Sequence, residues 1–223
     1  VATDYIATTT VAVSEGSVAN MPRLDYSGGA TCPSLLLEPS RTNLVTQSEY
    51  FDNASWVKVG ATLTNNSTTS PDGYINGTKM IAGAASARQA IKFLSSQTGD
   101  ISFSLYAKKG EYSVVQITET TNGGLWANFD LENGVLGSYA LVTPSVESVG
   151  DGWYRCTISF NSGGSIGAVR LSIATSPTSA RLVDFAGNGS DGIYIYGAQL
   201  EAENYSTSLI STYGTAATRG NDT

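Results

Sequence analysis

Turn residues recur so closely between residues 72 and 189 that most of the chain is cut into short segments. Asp72-Gly73, Asn76-Gly77, Gly99-Asp100, Lys109-Gly110, Asn122-Gly123-Gly124, Asn133-Gly134, Gly150-Asp151-Gly152, Gly163-Gly164 and Gly187-Asn188-Gly189 all reach positive φ or close a local side-chain turn at little cost. Between them, apolar and polar residues alternate, as in half-buried antiparallel strands. In Ile101 to Lys108, the residues Ile101, Phe103, Leu105 and Ala107 point one way, and Ser102, Ser104, Tyr106 and Lys108 the other. Tyr112 to Thr118 sets Val115 and Ile117 against Val114, Gln116 and Thr118, and Leu125 to Leu131 turns Ala127, Phe129 and Leu131 inward. Trp153 to Phe160 is expected to bury Tyr154, Cys156, Ile158 and Phe160 and to expose Trp153, Arg155 and Thr157; Val169 to Ile173 and Ile193 to Leu200 complete the set. Only Ala84 to Leu94 admits a helical reading, and a strand is preferred there. The fold class is all-β: an antiparallel β-sandwich, reasonable as one domain in 223 residues.

Composition narrows the partners. Charged residues make up 14% of the chain, against about 25% in an ordinary domain, and Ser, Thr, Gly and Asn fill the gap, as suits neutral, hydroxyl-rich partners. A net charge of −7, with only Lys108-Lys109 adjacent among the basic residues, argues against nucleic acid. No apolar run approaches the ~18 residues of a membrane-spanning helix, and no leader opens the chain, so a secretory signal is expected to be absent or removed. Cys32 and Cys156 lack the grouped spacing of a zinc site and are read as two separate, unreactive cysteines. Histidine is absent, which excludes a Ser-His-Asp triad, a Cys-His pair and a His-based zinc site within this chain.

Residues 1–42 carry loop signals and one apolar patch, Leu35-Leu36-Leu37, and read as an extended N-terminal arm. The sandwich is expected over 43–210, and 211–223, small and polar, as a tail or second connector.

Three stretches carry a family resemblance. The run from Cys32-Pro33-Ser34 through Leu35-Leu36-Leu37-Glu38-Pro39 to Arg41-Thr42-Asn43-Leu44 resembles a segment of bacteriophage tail-fibre and tail-spike proteins that precedes a jelly-roll module. Asn43-Leu44 through Phe51 to Trp56 resembles the opening strand of carbohydrate-binding jelly rolls appended to xylanases and glucanases, and Ile193-Tyr194-Ile195-Tyr196-Gly197-Ala198-Gln199-Leu200-Glu201 their closing strand. Tyr205 to Arg219 resembles the end of such phage proteins. The resemblance implies a jelly roll of two facing sheets with glycan across one face or at the loop tips, and a location on the virion surface or outside the cell. It also implies a structural calcium in many relatives, held partly by an acidic residue near the middle of the closing strand. Tyr196-Gly197 stands there instead, so no cofactor is expected; a calcium would have to take backbone oxygens.

If the strands of Tyr106, Gln116 and Trp126 are neighbours, alternation gathers Tyr106, Lys108, Gln116, Trp126 and Asn128 on one polar face. A pyranose stacks its apolar face on Trp or Tyr and offers hydroxyls to amides and charges, so this set, extended by Tyr194 and Tyr196, is the candidate polysaccharide site. The structural reading of each stands beside it: Trp126 as a residue covered by a loop, Trp153 as a strand start, Trp56 as an anchor closing the first loop. Arg155 and Arg170 are expected to be solvated or paired with acids; lining a cleft, they would favour an acidic polysaccharide. A hydrolase would need two carboxylates about 5–10 Å apart; Glu111, Glu119 and Asp130 lie near the face without a regular array, and Tyr106 with Lys108 would suit a lyase. No catalytic residue and no metal ligand is assigned. Non-catalytic binding is the leading reading. A structural fibre segment, forming a homotrimer in its parent fibre, and a lyase or hydrolase are the alternatives.

Overall fold

The computed structural model describes residues 23–25, 34–121 and 123–221, all strand and loop. Cys32, the Asn122 turn residue and most of the expected arm lie outside the described residues. Two six-stranded antiparallel sheets face each other. The first runs in the order β11 (Val135–Ala140), β10 (Trp126–Asp130), β9 (Val114–Glu119), β14 (Ala168–Ala174), β7 (Ala90–Leu94), β4 (Trp56–Val59). The second runs β12 (Thr143–Gly150), β13 (Trp153–Asn161), β8 (Asp100–Lys109), β15 (Gly192–Glu201), β6 (Ile75–Ala82), β5 (Ala61–Thr69). Two small ribbons stand apart, β1 (Arg23–Asp25) with β2 (Ser34–Leu36), and β3 (Arg41–Asn43) with β16 (Ala217–Arg219).

Alternation builds the core as the sequence predicts. Ile101, Phe103, Leu105 and Ala107 of β8, Cys156 and Ile158 of β13, and Ile193 and Ile195 of β15 join Val115, Ile117, Ala127, Phe129, Val169 and Leu171 of the other sheet in one buried cluster. Trp56 seals one end: it packs on Phe51 and Phe93 at 5.0 and 5.6 Å between ring centres, and its Nε1 donates to the Gln47 carbonyl at 2.9 Å. Within Ala84 to Leu94, only Ala90–Leu94 is a strand.

Asn43 joins β3 to the closing strand of the second sheet. Fully buried, it donates from Nδ2 to the carbonyls of Ala198 and Ile210, and its Oδ1 accepts the backbone N–H of Val45 and of Leu200. One side chain thus ties the opening segment to the closing strand and to the chain beyond it. The stretch from 211 returns to the same place: Thr212 bonds Ser48 and Val45, and Ala217–Arg219 pairs with Arg41–Asn43.

The expected exposure of Trp153 is not observed. It is 1% exposed although its parity puts it on the outer face of the second sheet. The tip of the β5–β6 hairpin covers it, with Thr69 O accepting from Trp153 Nε1 at 3.0 Å and Gly77 lying against the indole ring. Strand parity sets the face a side chain occupies; it does not tell whether a loop closes over that face.

Candidate functional site

The seven predicted residues do not share a face. β8 pairs with β13 and β15, while β9 pairs with β10 and β14, so Tyr106, Lys108, Tyr194 and Tyr196 lie outside the second sheet and Gln116, Trp126 and Asn128 outside the first. The chain crosses from one sheet to the other between β8 and β9, and the assumed neighbourhood of those strands fails there.

On the first sheet, Gln116 and Asn128 hold a loop. Asn128 Nδ2 donates to the carbonyls of Pro177 and Ser179; Gln116 Nε2 donates to Asn128 Oδ1 and to the Ala180 carbonyl, and its Oε1 accepts the Leu182 N–H. Both side chains are buried and fully engaged, so the Ser176-to-Leu182 loop lies across that part of the face. The next row along the strands is only partly covered, with Thr118 and Arg170 buried. It lines up Trp126, Thr118, Arg170, Lys92 and Val57 in register, with Trp126 and Lys92 half-buried.

On the second sheet, Tyr196 is 4% exposed and its hydroxyl donates to Asp72 of the hairpin tip at 2.8 Å. Burial, the nearby Glu49 and Asp72 hold its phenol well above the ordinary value. Tyr106 stands between the Tyr196 ring, at 6.0 Å, and the Arg155 guanidinium, at 5.7 Å. The Tyr194 ring lies 5.9 Å from Lys79 Nζ and in register with Lys108. Arg155, expected to be solvated or paired with an acid, is half-buried opposite Glu147 and donates to Ser104 Oγ and to the Thr207 carbonyl.

Beside this aromatic row is a groove of about 220 Å³ over β12 and β13, which the sequence-based expectations do not include. Thr143 faces Ser159, Ser145 faces Thr157 and Glu147 faces Arg155 across the strand pair, and Tyr205 and Ser206 form the wall. The wall is built from buried polar contacts. Glu201 accepts from the Thr207 N–H and hydroxyl at 2.9 and 2.6 Å, and Gln199 donates to the Thr207 carbonyl and accepts the Ile210 N–H. Tyr205, 46% exposed, is steadied by Arg41, whose guanidinium lies 4.8 Å from the ring centre and bonds the hydroxyl. Polar outer positions on two adjacent strands were the available signal; nothing local in the sequence shows that the chain after β15 folds back over them.

The carboxylates considered for hydrolysis have structural partners. Glu119 accepts the Thr121 N–H at 2.7 Å, and Asp130 closes the following turn through Glu132 and Asn133. Glu111 pairs with Lys79 and accepts the Gly192 N–H, contacts that hold its carboxyl below the ordinary value. Cys156 is buried and unpaired, and burial raises its thiol far above the usual range. Among the described residues there is no group of three or more His, Cys, Asp or Glu able to hold a metal. At Tyr196-Gly197 the closing strand bulges: Gly197 has φ 59°, and a Cβ there would lie 2.8 Å from Leu209 and 3.0 Å from Tyr106.

No protein-family model matches the chain, and a search of curated proteins finds no match. Solved structures similar to it include the enzymatically active domain of tailspike protein 4 from bacteriophage CBA120, at 14% identity and a TM-score of 0.39, covering 71% of this chain and 21% of that one. Another is the CBM22-1–GH10 modules of Clostridium thermocellum endo-1,4-β-D-xylanase 10B complexed with xylohexaose, at 13% identity and a TM-score of 0.40, covering 78% of this chain and 30% of that one. The chain therefore spans less than a third of the length of either.

Proposed function

We propose that the protein binds a polysaccharide without cleaving it, in the groove over β12 and β13. The observation that carries this reading is the groove's lining: two register pairs of hydroxyl side chains, a facing Glu147–Arg155 pair, and the exposed ring of Tyr205 at the wall. Hydroxyls, a carboxylate and a guanidinium are directional partners for sugar hydroxyls, and a phenol ring offers a flat apolar surface. Tyr106 and Tyr194 continue the surface towards β15, while Tyr196 acts from below by holding the hairpin tip. The site would serve a cell-surface glycan, from a virion fibre or an extracellular module.

Retention of the chain on polysaccharide affinity gels tests the proposal. The wild-type chain is expected to be retarded by at least one polysaccharide, and Tyr205→Ala to lose roughly tenfold or more in affinity, the value of one ring contact of about 1.4 kcal/mol. Unchanged retention in that variant would remove the groove from consideration, and new reducing ends on prolonged incubation would replace binding by hydrolysis.

A second reading, a self-associating fibre segment, is favoured by one observation. β11 and β12, consecutive in the chain, are the edge strands of the two sheets, and they and the turn between them expose Val135, Leu136, Tyr139, Leu141 and Val149.

A further inference from the structure

Four cationic side chains meet on the outer face of the first sheet, in a chain whose net charge is −7. Arg170 lies at the centre of the Trp126 row, between the fully buried Thr118 and the half-buried Lys92. Arg181 comes from the covering loop and donates through Nη2 to the Glu119 carbonyl at 2.7 Å. Arg88 precedes β7. Burial first, then Arg88 and Arg181, lower the Arg170 pKa against the pull of Asp184, and burial and Arg88 lower that of Arg181 against the pull of Glu119.

Their counter-charges do not match them. Two carboxylates face the three guanidiniums: Asp184, itself largely exposed, lies 3.5 Å from Arg88 Nε and also acts on Arg170, and Glu119 acts on Arg181. Arg170 is 7% exposed, yet its Nε has no hydrogen-bond partner among the described residues, and neither has the Nε of Arg181. A guanidinium stays ionised and carries five donors. Leaving such a group buried beside two others is costly unless an anion completes it. Carboxylates match the guanidinium fork in geometry and charge. The half-buried Trp126 stands two strands away, roughly 10 Å for strands about 4.8 Å apart, in the same register row.

We propose that this face is a second saccharide site, specific for an acidic sugar, in which Arg170, Arg181 and Arg88 take the carboxylate of a uronate unit and Trp126 stacks on the ring chain beside it. It rests on the glycan-binding reading above but occupies the opposite sheet from the groove, so the two can fail separately.

Calorimetric titration with short oligogalacturonate and oligomannuronate, each beside its methyl ester, decides the matter, because esterification removes the charge and keeps the ring stereochemistry. The acid forms are expected to bind about tenfold or more tightly than the esters, with the difference shrinking as salt is raised. Arg181→Gln, a loop substitution that leaves the sheet intact, is expected to abolish the preference, as is Arg170→Gln if it folds. Trp126→Ala should weaken the acid forms to a similar degree, whereas Tyr205→Ala should leave the preference in place. Equal binding of acid and ester by the wild-type chain, or a preference that survives Arg181→Gln, overturns the proposal and leaves the groove untouched. Full affinity in Trp126→Ala would show a bare anion site and overturns it too. Binding that depends on Arg181 and not on Tyr205 supports this site while discarding the groove.

Discussion

Asn43 shows how much one polar side chain can carry when every donor and acceptor it owns is used. Its four hydrogen bonds connect three segments that are distant along the chain. Asn43→Ala would leave two carbonyls and two N–H groups unpaired in a dry environment, a loss of roughly 3 kcal/mol or more, read as a lower melting temperature or denaturation midpoint. Recovery of wild-type stability in that variant would show that water can substitute there. Asn43-Leu44 is picked out in the sequence only by its resemblance to an opening strand, whereas 44–55 is loop and turn with one isolated bridge at Gln47. The amide's partners are not legible, since Ala198 and Ile210 are distant along the chain. Gln116 and Asn128 make the converse point. Their outward parity is readable from the alternation around Val115 and Phe129, yet both side chains hold the Pro177-to-Leu182 backbone, because a polar residue on an outer face can bind a loop as readily as a sugar.

At the scale of elements, the strands were legible because apolar and polar residues alternate cleanly in β8, β9, β10 and β13. Their partners were not legible. β8 joins β13 and β15 across long stretches of intervening chain, and period-2 alternation is the same in either sheet. The β5–β6 hairpin tip is the element most exposed to test. Asp72 accepts from Ser70 Oγ, the Tyr74 N–H, Asn76 Nδ2 and Tyr196 Oη. Burial raises its carboxyl, but these hydrogen bonds outweigh it and hold the pKa below 3.8. A depressed folded value means that the stabilisation is complete above the unfolded value and disappears as pH falls through the folded one. Below about pH 4 the tip should loosen and Trp153 should gain solvent, seen as a red shift in tryptophan emission before global unfolding. Asp72→Asn should show the loosened emission at neutral pH and lose about 1–2 kcal/mol; an emission indifferent to both changes would mean that the tip is held by packing alone.

For the whole molecule, the open question of association reduces to one edge. Two neighbouring edge strands that carry, with the turn between them, five exposed apolar side chains are a surface for another chain or a liability. If it trimerises, light scattering should give three times the monomer mass, and Leu141→Lys, altering the most exposed of the five, should return it to a monomer. A wild-type monomer at high concentration rules the self-association out. The β3–β16 ribbon has a different consequence. Arg41 stands opposite Arg219, with the N-terminal end of one strand beside the C-terminal end of the other. Tension applied at those two points would act across the ribbon instead of along it, parting its rungs one after another like a zip. The Asn43 knot lies just behind, so a pull spent on the ribbon reaches the sandwich only after the clasp has opened: the core is mechanically fused.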